Sequence, residues 1–200
     1  MTASEGVIRL ARESDNAALY DICLKTANAG GDASSLYSDP QYPGQRFSVP
    51  YLYFAAPFAF VLEQASQVTG YVVAAPDTVL FEEALAQHWW PRWQDAYRDR
   101  QAQAERDDDI LGAIRQPERA ATQLTSAWPA HLHINLLPSA QGGGWGRRMV
   151  ETELRALREA GVKGVHLGVS LQNEAVCAFY QRLGFRHVVR SHAIYMARTL

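Results

Sequence analysis

Two stretches of this 200-residue chain gather residue types that can do chemistry. The first runs from His131-Leu132-His133-Ile134-Asn135-Leu136-Leu137 through Pro138 into Gln141-Gly142-Gly143-Gly144-Trp145-Gly146. Glycines let backbone N–H groups turn toward a ligand with no side chain in the way. A helix after such a loop offers unpaired N–H groups and the positive end of its dipole, which together make a diphosphate cradle. Arg147 and Arg148 fall in the first helical turn, a poor place for cations unless an anion binds there. No Gly-Lys-Ser/Thr follows, so this is not a P-loop. The next strand end carries no ribose-binding acid, so it is not a dinucleotide fingerprint either.

The second stretch is Asn173-x3-Cys177-x2-Tyr180-x3-Gly184-Phe185. Its spacing predicts a helix from Asn173 to Leu183 that Gly184 stops. At i, i+4 and i+7 the amide, thiol and phenol share one face. A phenol so placed can give a proton to a leaving thiolate. Cys177 has no histidine partner in the pattern and reads as a small packing residue.

Other elements must position these two. Val7–Leu10 reads as a strand, and Ser14-Asp15 as the cap of a helix over 17–24. Asn28–Gly44 is loop-like in composition. Ala59–Glu63 and Thr69–Ala75 form an antiparallel hairpin, with Asp77 after it. Phe81, Leu85, Trp89, Trp93 and Tyr97 recur every four residues, a helical stripe that Pro91 should break or restart. The mixed charges of Arg98–Asp109 read as a solvated face. A strand over 131–137 leads into the glycine loop. The next helix should bury Val150, Leu154 and Leu157 and end at Gly161. Strands over 164–170, 185–190 and 193–197 complete an α/β domain with a mixed sheet.

Composition bounds the function. Nineteen Lys and Arg against 21 Asp and Glu leave a formal charge of −2, which argues against a dedicated nucleic-acid or membrane-surface binder. A hydrophobic share of 48% is enough for a substantial core and excludes general disorder. Val49–Leu62 is the longest uncharged apolar run; Pro50 and Pro57 interrupt it, and it is short for a membrane span. MTASEGVIRLARES shows no basic segment followed by an apolar one, so no signal peptide is expected. Cys23 and Cys177 fit a reducing compartment, and no Cys/His cluster has zinc spacing. A cytoplasmic, metal-free domain is the expectation.

The run Leu136-Leu137-Pro138-Ser-Ala-Gln141-Gly-Gly-Gly-Trp-Gly146 resembles the acetyl-CoA-binding motif of the GCN5-related N-acetyltransferases (GNAT). NEAVCAFYQRLGF, Asn173 through Phe185, is similar to that family's second signature, Asn-x-x-Ala-x-x-Phe-Tyr-x-x-x-Gly-Phe. The two stand in the family's order and spacing. Across Phe58–Trp128, Phe60–Glu63, Gly70–Val72, Asp77 and a Trp-rich helical stretch resemble the acetyltransferase-like domain of O-GlcNAcase and its free-standing bacterial relatives. No glycosidase activity comes with that likeness, since a catalytic barrel needs roughly 250 residues.

The resemblance implies one GNAT domain over 1–200: a mixed, mostly antiparallel sheet flanked by helices, with a helical insertion at about 79–129 before the acetyl-CoA-binding strand. It implies acetyl-CoA as cosubstrate and an amine-bearing small molecule or protein as acceptor. In the family the strands on either side of the motif helix part and admit the pantetheine arm. By position, Leu136 and Leu137 would meet that arm. Backbone amides of Gln141, Gly142, Gly143, Gly144, Trp145, Gly146 and Arg147 would hold the pyrophosphate. Asn173 would touch the pantetheine or a water, and Tyr180 would protonate the departing thiolate.

A base must neutralise the attacking amine, since a lysine-like amine has a pKa of about 10.4. His133 shares a strand face with His131 and Asn135 and titrates in range. Glu63 and Asp77 compete with it, and the other histidines read as strand or surface residues. Trp89, Trp90, Trp93 and Trp128 would pack the insertion onto the sheet, cover the substrate groove, or mediate a homodimer through an exposed face. An N-acetyltransferase acting by direct attack heads the readings. A catalytically silent acetyl-CoA-binding or protein-interaction module, and a binder of another phosphorylated ligand, stand beside it.

Overall fold

The computed structural model describes residues 5–200; the absence of a signal peptide was read partly from residues 1–4, which lie outside that range. The first strand, β1 (Gly6–Leu10), leads to helix α1 (Asn16–Leu24) and two short helices, α2 (Tyr42–Phe47) and α3 (Val49–Phe54). The hairpin of β2 (Ala59–Gln64) and β3 (Gln67–Ala75) follows. Its two-residue turn, Ala65-Ser66, holds φ at +47° and +62°, the left-handed geometry that matches the twist of paired strands.

Four helices then fill the segment between the hairpin and the next strand: α4 (Thr78–His88), α5 (Trp90–Ala96), α6 (Asp107–Arg115) and α7 (Thr122–Ala127). Pro91 sits at the start of α5, so the aromatic stripe breaks and restarts as its position predicts. Strand β4 (Ala130–Leu136) precedes the glycine loop and α8 (Trp145–Glu159). Gly161, at φ +78°, ends α8, and the Val162 N–H reaches back to the Leu157 carbonyl at 3.0 Å. Strand β5 (Gly164–Ser170), helix α9 (Cys177–Arg182), β6 (Arg186–Arg190) and β7 (Ala193–Thr199) complete the chain.

The strands form one seven-stranded sheet in the order β1-β2-β3-β4-β5-β7-β6. Every pairing is antiparallel except β4 with β5. That parallel pair holds only at Ala130 opposite Val165 and His131 opposite His166, and then the two strands diverge. One face of the sheet is covered by α1 to α6 over Leu19, Tyr51, Tyr71 and Ile110. The other is covered by α8 and α9, through Met149, Val150, Leu154, Leu157 and Tyr180. Each such side chain contributes roughly 1.5–3 kcal/mol when fully buried.

Three local expectations are corrected. The helix from Asn173 to Leu183 is two elements: a 3-10 segment, Leu171–Val176, and then α9. The Ser170 hydroxyl accepts the Gln172 N–H, and Asn173 takes a non-helical φ of −122°. The charged run 98–109 is not wholly a solvated face. Asp107 is fully buried and accepts from the Ser38 N–H and hydroxyl and from the Gln103 and Ala104 N–H groups. Asp15 does not cap α1; its carboxylate accepts from the Arg9 guanidinium and the Arg12 N–H. Of the readings given for the tryptophans, packing within the core is the one observed, with no exposed tryptophan face among the described residues. Trp89 and Trp90 are buried, Trp93 packs on them, and the Trp89 indole donates to the Gln45 carbonyl.

Among the described residues no helix is long and apolar enough to cross a membrane. Val49–Leu62 forms α3, a short turn and the start of β2.

Candidate active site

The divergence of β4 from β5 opens a cavity of about 950 Å³ through the middle of the sheet. In an antiparallel ladder, successive residues turn their N–H and C=O to opposite sides. The Leu137 N–H donates to the Thr69 carbonyl on β3, so Leu136 turns its backbone toward the gap. There the Leu136 carbonyl accepts from Gln141 Nε2 at 3.0 Å, which ties the glycine loop to the strand. Leu136, Ile134 and Leu132 line the gap on one side, and Leu167, Gly168 and Val169 line it on the other.

Below the gap lies the start of α8. Gly142 and Gly144 hold φ at +81° and +74°, and a Cβ at either would meet nothing within 4 Å. Backbone conformation therefore requires these glycines, and the space above them is open to a ligand. No side chain caps α8, so its first N–H groups remain available to an anion. Arg147 lines the cavity and pairs with Glu151 at 2.7 Å. Arg148 does not face it: its guanidinium lies 3.5 Å from the Trp145 ring centroid and donates to the Gly143 carbonyl. The uncapped helix, the open glycines and the parted strands suit a long ligand with a diphosphate. No cluster of three or more His, Cys, Asp or Glu able to hold a metal occurs among the described residues.

Of the residues singled out from sequence, Tyr180, Asn173, His133, Leu136, Gln141, Gly142, Gly144, Gly146 and Arg147 line this one cavity. Leu137, Gly143 and Trp145 do not. The Leu137 side chain packs into the core, the Gly143 carbonyl is taken by Arg148, and the Trp145 ring is buried beside Met149 and Leu62. Cys177 also turns into the core, since Asn173 lies outside the helix and the three residues share no common face. Tyr180 is packed edge-on between Phe179 and Phe185. Burial raises its phenol, so it stays protonated at neutral pH.

His133 is half-buried, edge-to-face with Tyr51 and Phe47. Burial, and then the charge of Arg46 and the neighbouring His166, push it down to about 4. Beside it, His131 is locked by Tyr51 and Thr78, and burial lowers it well below the usual range. Thr78 Oγ1 donates to the Pro129 carbonyl, so it accepts from His131 Nδ1 and leaves Nε2 to accept from Tyr51. Glu63 and Asp77 are occupied elsewhere: Glu63 pairs with Arg9, and Asp77 caps α4 by accepting the Leu80 N–H.

The sequence reading missed the far end of the cavity. Cys23 and Thr26 from α1 and its end, Tyr37 from the long loop, and Phe47 from α2 line it beside His133 and Asn135. The Asn135 amide donates to the Tyr71 hydroxyl at 2.6 Å. Burial raises the Cys23 thiol to about 11, so it is neutral there. The one available signal was the polar face shared by His133 and Asn135; the loop over 28–44 carries no motif.

A model of the acetyltransferase (GNAT) family matches residues 73–185. The crystal structure of SsHAT is similar over 98% of both chains, with 38% identity and a TM-score of 0.90. The structure of yncA from Salmonella typhimurium, solved with its cofactor acetyl-CoA, shares the fold at 17% identity and a TM-score of 0.59, over 98% of this chain and 95% of that one. A mycothiol acetyltransferase from Streptomyces coelicolor is 33% identical over 82 residues, which are 41% of this chain. The chain spans 25% of that relative's length.

Proposed function

The chain belongs to the acetyltransferase (GNAT) family, and on that premise we propose that it transfers an acetyl group from acetyl-CoA to an amine nitrogen by direct attack. One observation carries this reading. The gap between β4 and β5, the uncapped start of α8 and the Tyr180 side chain all open on the same cavity.

Bound acetyl-CoA supplies an activated thioester. The N–H groups at the start of α8, with the loop from Gln141, hold its pyrophosphate. The Leu136 N–H, turned into the gap, donates to the thioester oxygen as charge develops there. Asn173 at the cavity wall holds the pantetheine or a water. Tyr180, kept protonated by burial, gives its proton to the departing thiolate. A free thiol has a pKa of about 8.5, so this proton helps at neutral pH without being indispensable. His133, neutral at physiological pH, accepts a proton only from a strongly acidic N–H. The two free cysteines support a reducing, cytoplasmic setting. Within the family, the pattern across Phe58–Trp128 supports kinship with the acetyltransferase-like domain of O-GlcNAcase, and no glycoside hydrolysis is carried over with it.

The weak basicity of His133 favours a second reading, a silent acetyl-CoA-binding module. Release of CoA thiol in the presence of amines separates the two. Acetyl transfer predicts amine-dependent release that falls about 100-fold in kcat in Tyr180→Phe, with acetyl-CoA affinity kept. A Tyr180→Phe rate equal to wild type removes the acid role. Thiol release that no amine accelerates favours the silent module.

A further inference from the structure

The far end of the cavity has a composition that selects its substrate. Tyr37, Phe47 and His133 give it an aromatic wall, with Phe47 and His133 edge-to-face at 5.7 Å between centroids. Among the described residues, no Asp or Glu lines any part of the cavity. The charged side chains that line it are positive, and outside the lining Arg106 and Asp109 both act on Tyr37. Arg147 and Arg182 line it, and the Arg46 guanidinium lies 5.0 Å from the Phe47 ring centroid. The Arg46 charge reaches His133, whereas its carboxylate partner, Glu118, lies out at the surface 3.7 Å from it.

A protonated alkylamine entering here would meet no carboxylate in the lining and would feel the Arg46 charge that acts on His133. An unpaired buried charge costs several kcal/mol or more. With a pKa of about 10.4, only about one lysine-like amine in a thousand is neutral near pH 7.4. An aromatic amine delocalises its lone pair into the ring and is neutral at that pH. Its ring also matches the wall, where edge-on and offset aromatic pairs add roughly 0.5–1.5 kcal/mol.

We propose that the acceptor is an aromatic amine, bound in its neutral form with its ring against Tyr37, Phe47 and His133; this rests on the acetyl-transfer reading above. The amine nitrogen forms a bond to the acetyl carbon and the carbon–sulfur bond breaks. The nitrogen loses one proton and the CoA sulfur gains one, so the products are an N-aryl acetamide and free CoA. Once bonded to carbon, the nitrogen of a weakly basic amine is acidic enough for His133, held at about 4, to take its proton.

The test compares 4-methoxyaniline with n-butylamine and an Nα-blocked lysine amide at pH 7.5, by CoA release from saturating acetyl-CoA. Acetyl-CoA affinity is measured separately by calorimetry. The expected kcat/KM for the aniline exceeds that of either alkylamine by about 100-fold or more, in line with the scarcity of the neutral alkylamine. Phe47→Leu should raise KM for the aniline about tenfold, the loss of one aromatic contact, while acetyl-CoA affinity holds and certifies the fold. Acetyl-CoA binding together with equal or faster use of an alkylamine overturns the acceptor assignment and leaves acetyl transfer standing. Acetyl-CoA binding with neither amine class acetylated overturns it as well. If acetyl-CoA does not bind, the acetyl-transfer reading itself fails and takes the acceptor with it.

Discussion

Among the described residues two carboxyl groups are fully buried, Asp107 in the insertion and Glu153 on α8, and they are treated in opposite ways. Asp107, at the start of α6, accepts four hydrogen bonds from Ser38, Gln103 and Ala104. Burial pushes its carboxyl up, but those hydrogen bonds outweigh it and hold the group below the usual carboxylate range. Glu153, on the inward face of α8, has no hydrogen-bond partner, and burial pushes it well above that range. Asp77 caps α4, whereas no side chain caps α8, nor α5, α6 or α7 of the insertion. The insertion satisfies its buried carboxylate with help from Ser38 outside it, while Trp93 Nε1 within it stays unpaired. The α8 layer leaves its positive end unspent, and that end faces the cavity. A helix terminus kept free of internal partners is available to an anionic ligand.

The largest expected effect comes from breaking the closed half. Asp107→Ala leaves two hydroxyl or loop N–H donors at Ser38 and two more N–H groups without their acceptor. It should cost about 4 kcal/mol of stability, read by urea or thermal unfolding. Acetyl-CoA affinity, measured where the variant is folded, should stay near wild type. A loss below about 1 kcal/mol would mean the carboxylate is not the anchor described.

A smaller effect of opposite sign is expected on α8. Glu153→Met removes a buried carboxyl with no partner and should stabilise by about 2 kcal/mol. The pH dependences also oppose each other. Asp107 is lowered on folding, so its contribution is present above the unfolded value near 3.8 and is lost as pH falls through the folded value. Glu153 is raised, so its contribution is full below about 4.5 and is lost as pH rises through the folded value. Unfolding free energies of wild type and Glu153→Met should therefore diverge toward alkaline pH. Parallel curves would show that Glu153 has a partner in solution.

The order of elements was legible because each was locally marked: turn residues at Gly161 and Gly184, alternation along β4, four-residue spacing through α4 and α5. The glycine loop was legible for the same reason. What escaped depends on contacts between segments far apart in sequence. Asp107 looks solvated among its charged neighbours until Ser38, 69 positions away, reaches it. Asn173 sits in a helix-like pattern, but the Ser170 hydroxyl draws the chain into a 3-10 turn first. Arg148 looks like a phosphate ligand until the Trp145 ring is placed beneath it. The far end of the cavity escaped most completely, since Cys23, Tyr37 and Phe47 come together only through the packing of α1, α2 and the loop between them.

Acetyl-CoA is expected to bind along the open end of α8 and between the parted strands. Calorimetric titration of acetyl-CoA into the wild-type chain and into Gly144→Trp tests it most directly. Gly144 holds φ at +74° with open space before it, so an indole there both strains the loop and fills the cradle. Micromolar binding by the wild type is expected, with a loss of at least about 100-fold in the variant and the unfolding transition kept. No binding by the wild type, or equal binding by a folded Gly144→Trp, would contradict it.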